Sequence, residues 1–332
     1  MGKMRSTSPI SRRATAVSLL ATAVSGCVAR SAPAGPAIMP PEQDADAFVM
    51  PDGARLPYRV WRPAGEVRAV VLALHGFNDS RDAFEYPAPD YAAAGIMVYA
   101  PDQRGFGRAP NRGLWSGTDS MAGDAAEMVG LLRTRYPGVR LVLMGESMGG
   151  AVAMCAAAMH APQVDAYVLL APAVWGRARM NILMQSGLWL AATLAPGLAV
   201  GNGPVRVRPS DNMEALIRLS RDPLTLRTTR FDTLRGLVDL MDAALAAAPI
   251  FNAPGLFLYG EHDELVPPRA TATIWRSLPE QAVRAFYPNG YHLLTRDLNR
   301  AAVNADVAAY VLHGTRPASA ETAAQTWLAT QT

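Results

Sequence analysis

The 332-residue sequence holds only two cysteines, Cys27 and Cys155. That is too few for a disulfide-stapled scaffold. Lysine is scarcer still, for Lys3 is the one lysine among 31 basic residues. Charged residues make up 18% of the chain, and the formal net charge of +3 comes with no dense basic run in the globular part. Such a weak charge does not argue for nucleic acid as a partner. Half of the residues are hydrophobic, which excludes intrinsic disorder. Neither the 27 glycines nor the 26 prolines follow a collagen-like period. No metal-ligand cluster, phosphate-binding glycine loop or nicotinamide fingerprint is visible, so the chemistry is expected to need no cofactor and no metal. What is present is a globular chain with room for a large buried sheet, in one large domain or two ordinary ones.

Residues 1–26 read as an address. Lys3, Arg5, Arg12 and Arg13 form a positive region without an acid, and Ala14 to Gly26 is a short apolar run of small residues and leucines. That order is a secretory signal peptide, too short to span a bilayer comfortably. Its end, Val24-Ser25-Gly26-Cys27, resembles the lipobox of bacterial lipoproteins, whose cysteine is acylated and becomes the first residue. An ordinary secretory signal or an uncleaved anchor is the plainer alternative, but a lone Cys directly after small residues favours the lipobox. The expectation is an exported lipoprotein of a bacterial cell envelope, held on its membrane through acylated Cys27. Residues 27–45, rich in Ala, Pro and Gly, read as a flexible tether. Cys155 lies in an Ala/Met-rich segment and reads as a buried small hydrophobe. Removing the leader takes four basic residues from 31 and leaves 27 against 28 acids, a formal charge of −1. The +3 therefore describes the address.

From about residue 46 strands and helices alternate. Leu56–Arg62, Ala69–Leu74, Gly95–Ala100, Leu141–Met144 and Ala166–Leu170 read as strands, several of them continuous apolar runs buried on both faces. Asp82–Ala94, Thr118–Tyr136 and Gly149–His160 read as helices. The pattern predicts an α/β fold with a mostly parallel sheet. Trp175 to about Pro249 breaks it, with no convincing strand and an apolar stretch, Ile182–Val200, cut by Gln185, Ser186 and Pro196-Gly197. Those polar atoms and the proline argue for a helical cap and against a transmembrane segment. Alternation resumes with Gly255–Tyr259, a helix near Arg269–Ser277, a strand near Val283–Tyr287 and a helix Arg296–Leu312. One core, 46–174 with 250–314, thus carries a cap at 175–249, and the tail 315–332 reads as frayed.

Gly145-Glu146-Ser147-Met148-Gly149 follows a buried strand and opens a helix, the context of a nucleophile elbow. The two glycines allow close backbone approach, and Ser147 sits at a helix N-terminus that favours developing negative charge. A serine alcohol needs a base, and the chain order that accompanies an elbow is serine, acid, histidine. His75 precedes the elbow, His160 ends its helix, His262 falls on the acid loop and His313 closes the last helix. His292, on a turn after Val283–Tyr287, remains as general base. The acid that orients it should follow Gly255–Tyr259, where Glu261, Asp263 and Glu264 are candidates. Asp263 is favoured, since Glu261 lies too close to the strand and Glu264 enters Leu265-Val266-Pro267. The oxyanion needs two donors. The backbone N–H of Met148 is one, and that of Phe77, after the strand Ala69–Leu74, is the other.

These residues carry a resemblance. His75-Gly76-Phe77, Pro101-Asp-Gln-Arg-Gly-Phe-Gly107, the elbow Gly145–Gly150, Arg221-Asp-Pro-Leu224, Gly260-Glu-His-Asp-Glu-Leu-Val-Pro267 and Gly290-Tyr-His-Leu-Leu294 occur in order. Over roughly residues 48–313 the chain resembles α/β-hydrolases of the monoacylglycerol lipase/lysophospholipase type, the serine aminopeptidase S33 hydrolase group. The resemblance implies an α/β-hydrolase fold with a helical cap insertion, a triad of Ser147, Asp263 and His292, and an oxyanion hole at Phe77 and Met148. Asp102–Gly107 reads as a loop-shaping element, because Arg104 and Gly105 suit a buried ion pair and a tight turn. Dehalogenases and epoxide hydrolases of similar fold use an aspartate at the elbow, and Ser147 argues against both.

A serine with a histidine base implies acyl transfer through an acyl-enzyme. The expected substrate is a small-molecule or lipid ester, monoacylglycerol-like or lysophospholipid-like, at a membrane. A short-chain carboxylesterase and a peptidase-like S33 hydrolase are the enzyme alternatives, and a non-catalytic surface lipoprotein is the alternative of another class. Ile182, Leu183, Met184, Leu188, Trp189 and Leu190 would either line an acyl-chain tunnel or pack the cap onto the core.

Overall fold

The computed structural model describes residues 28–201 and 207–331. The leader 1–26 and the acylation reading at Cys27 lie outside the described residues. The apolar runs become a nine-stranded sheet in the order β1-β2-β3-β5-β4-β6-β7-β10-β11. Strands β1 (Glu42–Gln43), β2 (Ala47–Val49) and β3 (Arg55–Trp61) form an antiparallel edge that joins β5 (Ile96–Pro101). The parallel part runs from β5 through β4 (Ala69–Leu74), β6 (Arg140–Glu146), β7 (Ala166–Leu170) and β10 (Gly255–Gly260) to β11 (Val283–Tyr287). This is the mostly parallel α/β sheet expected from the alternation, and it agrees with the α/β-hydrolase fold that the resemblance implies.

Alternate residues of β4 supply two separate cores. Val70, Leu72 and Leu74 join Met128, Val152 and Met241 on one face, while Val71 and Ala73 join Tyr91, Val303 and Tyr310 on the other. A strand repeat of two residues has this consequence. Every residue of β4, β5 and β10 is buried, which explains their unbroken apolar sequences. Helices α2 (Thr118–Arg135), α3 (Met148–Met159) and α7 (Pro268–Ser277) cover the first face, and α1 (Ala88–Ala93) and α8 (Arg300–His313) the second. Cys155 is buried in the first core, where burial pushes its thiol up to about 12.

Several boundaries differ from expectation. The helix expected over 82–94 is a 3₁₀ turn, Arg81–Phe84, followed by the short α1, because Pro87 and Pro89 cannot supply the donors of a continuous helix. The last core helix starts at Arg300 instead of Arg296, since residues 296–298 are engaged elsewhere: Arg296 N–H donates to Leu293 and Leu298 N–H to the Asp211 carboxylate.

The insertion between β7 and β10 holds α4 (Ile182–Leu194), α5 (Met213–Arg221) and α6 (Phe231–Ala247). It also holds an unexpected antiparallel pair, β8 (Ala199–Gly201) with β9 (Thr228–Arg230). Val238, Met241 and Ala244 bury α6 in the same core as Val152 of α3. No helix among the described residues is long and apolar enough to cross a membrane. The apolar residues of α4 mostly point into solvent: Leu183 is 81% exposed and Trp189 60%. Ile182, Met184 and Leu190 are exposed as well, so this face neither lines a tunnel nor packs on the core. Leu188 alone of the six packs against the core.

Both ends correct the sequence reading. The segment expected as a free tether is strapped to the body: Ala32 N–H donates to Trp115 O at 2.9 Å, Ala34 N–H to Ser120 Oγ at 2.9 Å and Gly35 N–H to Asp52 Oδ2 at 2.9 Å. Pro33, Pro36, Pro40 and Pro41 break helix here, which leaves the other backbone donors of an extended segment for outside acceptors. The tail read as frayed forms α9 (Ala318–Thr330). Ala320, Ala324 and Trp327 recur on one helical face and are buried. The Trp327 ring stacks 5.0 Å from Phe286 and lies 5.3 Å from both Tyr259 and Trp275.

Candidate active site

Strand β6 delivers Ser147 into a sharp turn with φ +53° and ψ −114°, a conformation that a serine adopts only under constraint. The constraint is backbone: Ser147 N–H donates to Leu170 O at 2.9 Å, and its own carbonyl accepts from Ala151 and Ala173. A Cβ at Gly149 would overlap the Leu74 carbonyl, and one at Gly145 the Gly149 carbonyl. These two glycines therefore let β6, α3 and the end of β4 meet. Ser147 heads α3 without capping it, which leaves Oγ uncommitted and partly exposed.

The loop after β4 faces the elbow. An added Cβ on Gly76 would stand 3.4 Å from Ser147 Cβ. Buried His75 shapes this loop: Gln103 N–H donates to His75 Nε2 at 3.0 Å, and His75 Nδ1 lies 2.8 Å from Gly76 O. A carbonyl only accepts, so Nδ1 carries the proton and the ring is neutral. Burial lowers the imidazole pKa and favours that form. Among the described residues the Phe77 N–H has no backbone acceptor, and the Met148 N–H opens α3, where no intrahelical acceptor exists. Met148 thus adjoins the serine, and Phe77 follows the glycine that faces it.

Loops after β10 and β11 bring in the other predicted pair. His292 Nδ1 donates to Asp263 Oδ2 at 2.8 Å, while Asp263 Oδ1 accepts from Leu265 N–H at 2.8 Å and Val266 N–H at 2.9 Å. This singles out Asp263 among the three acids, for Glu261 is exposed and Glu264 accepts from Arg208 N–H. His292 and Asp263 are both buried. Burial acts to lower the imidazole pKa, but the adjacent Asp263 charge and hydrogen bond, with Glu146 further off, leave it raised.

The other histidines lie elsewhere: His160 is 3.3 Å from Asp119, His262 lies against Tyr291 and His313 is 3.3 Å from Arg68. Arg104 is buried between Asp124 and Asp52, and Gly105 takes φ +88°, as expected of a loop-shaping element.

A buried ion cluster escaped the sequence reading. Arg296 Nη2 donates to Asp79 Oδ2 at 2.6 Å and to Glu146 Oε1 at 2.7 Å. Glu146 is the variable residue of the elbow motif, and its burial raises its carboxyl pKa against the pull of Arg296. Asp297, also buried, is pushed up to about 6; it accepts from Tyr291 N–H and Ser210 Oγ. A cavity of about 490 Å³ beside α5 reaches this cluster through Asp79 and Arg296, whereas Ser147 and His292 do not line it. The cap is fastened to two of the site's loops. Leu226 N–H donates to Asn78 O at 2.8 Å, and Leu293 N–H to Pro209 O at 2.9 Å.

The sequence matches the serine aminopeptidase S33 hydrolase family over residues 65–299. It is 25% identical over 279 residues to the monoacylglycerol lipase of Mycolicibacterium smegmatis, covering 80% of this chain and 96% of the relative. It is 27% identical over 266 residues to human monoglyceride lipase, covering 78% and 86%. Among solved structures, the monoacylglycerol lipase of Paleococcus ferrophilus superposes with TM-score 0.67 at 21% identity, covering 78% of this chain and 99% of its own. A soluble variant of the Saccharomyces cerevisiae monoglyceride lipase, in complex with a substrate analog, gives 0.66 at 20% identity, covering 83% and 98%. These two structures share the fold.

Proposed function

The chain belongs to the serine aminopeptidase S33 family, and from that premise we propose that it is a serine carboxylic-ester hydrolase working through an acyl-enzyme. The observation that carries this reading is a strained, uncommitted serine at the elbow in the same fold as a buried histidine–aspartate pair with an Nδ1–Oδ2 distance of 2.8 Å. His292 Nε2 takes the Ser147 proton as Oγ attacks the ester carbonyl. Asp263 holds Nδ1–H in place and stabilises the imidazolium that forms. The Phe77 and Met148 N–H groups receive the developing oxyanion. The tetrahedral adduct expels the alcohol, which takes the proton from His292, and water then repeats the sequence to release the acid. Ser147→Ala is expected to abolish p-nitrophenyl ester turnover with an unchanged circular dichroism spectrum. Unchanged turnover would refute the proposal.

The proposed substrate is a monoacylglycerol-like or lysophospholipid-like ester at a membrane. Relatives named for monoacylglycerol hydrolysis support it, as does the lipobox-like Val24–Cys27. Geometry adds a third support. Arg30 N–H donates to Asp232 Oδ2 at 3.1 Å, and Val28 O lies 3.5 Å from Arg230 Nη2. Arg230 ends β9, which pairs with β8 just after α4. An acylated Cys27 would thus hang the enzyme beside the exposed apolar face of α4. The outward direction of that face also favours a second reading, a short-chain carboxylesterase, because those residues do not enclose an acyl chain. Profiling of monoacylglycerols, lysophospholipids and short p-nitrophenyl esters separates the two.

A further inference from the structure

We propose that Arg296 is a positioning residue that clasps the three loops of the active site to one another. The loop after β4 supplies Asp79, the end of β6 supplies Glu146, and the loop after β11 supplies Arg296 itself, four residues beyond His292. These are the loops that carry the Phe77 donor, the nucleophile and the base. The sheet fixes where each loop starts but not where its tip lies, and Arg296 closes that gap. Side-chain exposures of 5% for Arg296, 9% for Asp79 and 1% for Glu146 keep water from competing.

The bonding is not that of a cluster built for stability. Both carboxylates take the same guanidinium nitrogen, Nη2, where a fork-to-fork pair would use two. Arg296 Nε and Glu146 Oε2 are buried without a partner. Unpaired buried polar atoms cost free energy, and a buried ion pair is weak evidence of net stabilisation. What the arrangement does secure is geometry. Asp79 N–H donates to Gly76 O at 3.2 Å, so pulling Asp79 also fixes the peptide that carries the Phe77 N–H. Glu146 immediately precedes Ser147, and Arg296 N–H donates to Leu293 O at 2.8 Å, closing the turn that follows His292. Asn212 Nδ2 of the cap donates to Arg296 O at 2.8 Å, so the clasp also meets the insertion.

The role rests on the acyl-transfer reading of Ser147, and the test keeps the two apart by using the active parent enzyme as its reference. With p-nitrophenyl butyrate, Arg296→Met is expected to lower kcat about 100-fold, the scale of a misplaced reacting group, with KM changed by no more than about threefold. Arg296→Lys presents one ammonium to both carboxylates, as Nη2 does, and is expected to recover most of the loss. Glu146→Gln keeps shape and one acceptor, is expected to lower kcat about tenfold on the same argument, and carries the test if Arg296→Met does not fold. The clasp is overturned if kcat of Arg296→Met, or of Glu146→Gln in its place, stays within about threefold of the parent. It is overturned equally if Lys restores no more than Met. A parent chain that turns over no ester overturns the reading of Ser147, and the role of Arg296 with it.

Discussion

His292 must be neutral to accept a proton from Ser147, so its titration sets where activity fails on the acid side. Asp263 and Glu146 outweigh burial and leave its pKa raised. The kcat/KM profile is therefore expected to fall as pH drops, with its acid limb above the ordinary imidazole value of about 6.5. A pH titration of p-nitrophenyl ester hydrolysis reads this directly, and a limb below that value would contradict the arrangement. Asp263→Asn should lower kcat about 10⁴-fold, because the amide donates to Nδ1 and selects the wrong tautomer. The same substitution at Glu264, which accepts from Arg208 N–H, should leave kcat nearly unchanged. Ser147 was legible as sequence because its elbow motif follows an apolar run, and His292 because it lies on a turn after a later strand in the chain order that accompanies an elbow. Asp79 and Arg296 were not, since 217 residues separate them and nothing local marks either as buried. Glu146 occupies the unspecified position of its motif, and only its burial distinguishes it.

At the scale of elements, the central parallel strands were the plainest feature because burial on both faces leaves long unbroken apolar runs, as in β4 and β10. The short β8–β9 pair was invisible, being three residues long on each side and exposed in β8. Helix α9 shows how position misleads at a terminus. Its place at the end of the sequence suggested fraying, yet Trp327 anchors it on β10 and β11 through Tyr259 and Phe286. Deleting that anchor leaves a cavity among aromatic rings. Trp327→Ala is expected to cost about 3 kcal/mol or more, read as a lower midpoint in urea. A midpoint equal to the parent's would mean that α9 is not docked in solution. The strap of residues 28–45 is a second such case, for its prolines determined an extended backbone and left open what that backbone would pair with.

For the molecule as a whole, the strap and the cap define one side. Acylation at Cys27 would place the bilayer beside α4, where Ile182, Leu183 and Trp189 already lie exposed. Cys27→Ala is expected to move the protein from the membrane fraction to the soluble fraction with unchanged hydrolysis of a soluble short-chain ester. Retention in the membrane fraction would count against the lipobox and leave the ester chemistry untouched. That chemistry is the central claim, and covalent labelling tests it most directly. Treatment with a fluorophosphonate, followed by intact mass and peptide mapping, should give one adduct on Ser147 in the parent and none in Ser147→Ala. Folded parent protein that takes no adduct, or takes it at another residue, would contradict the assignment of Ser147 as the nucleophile.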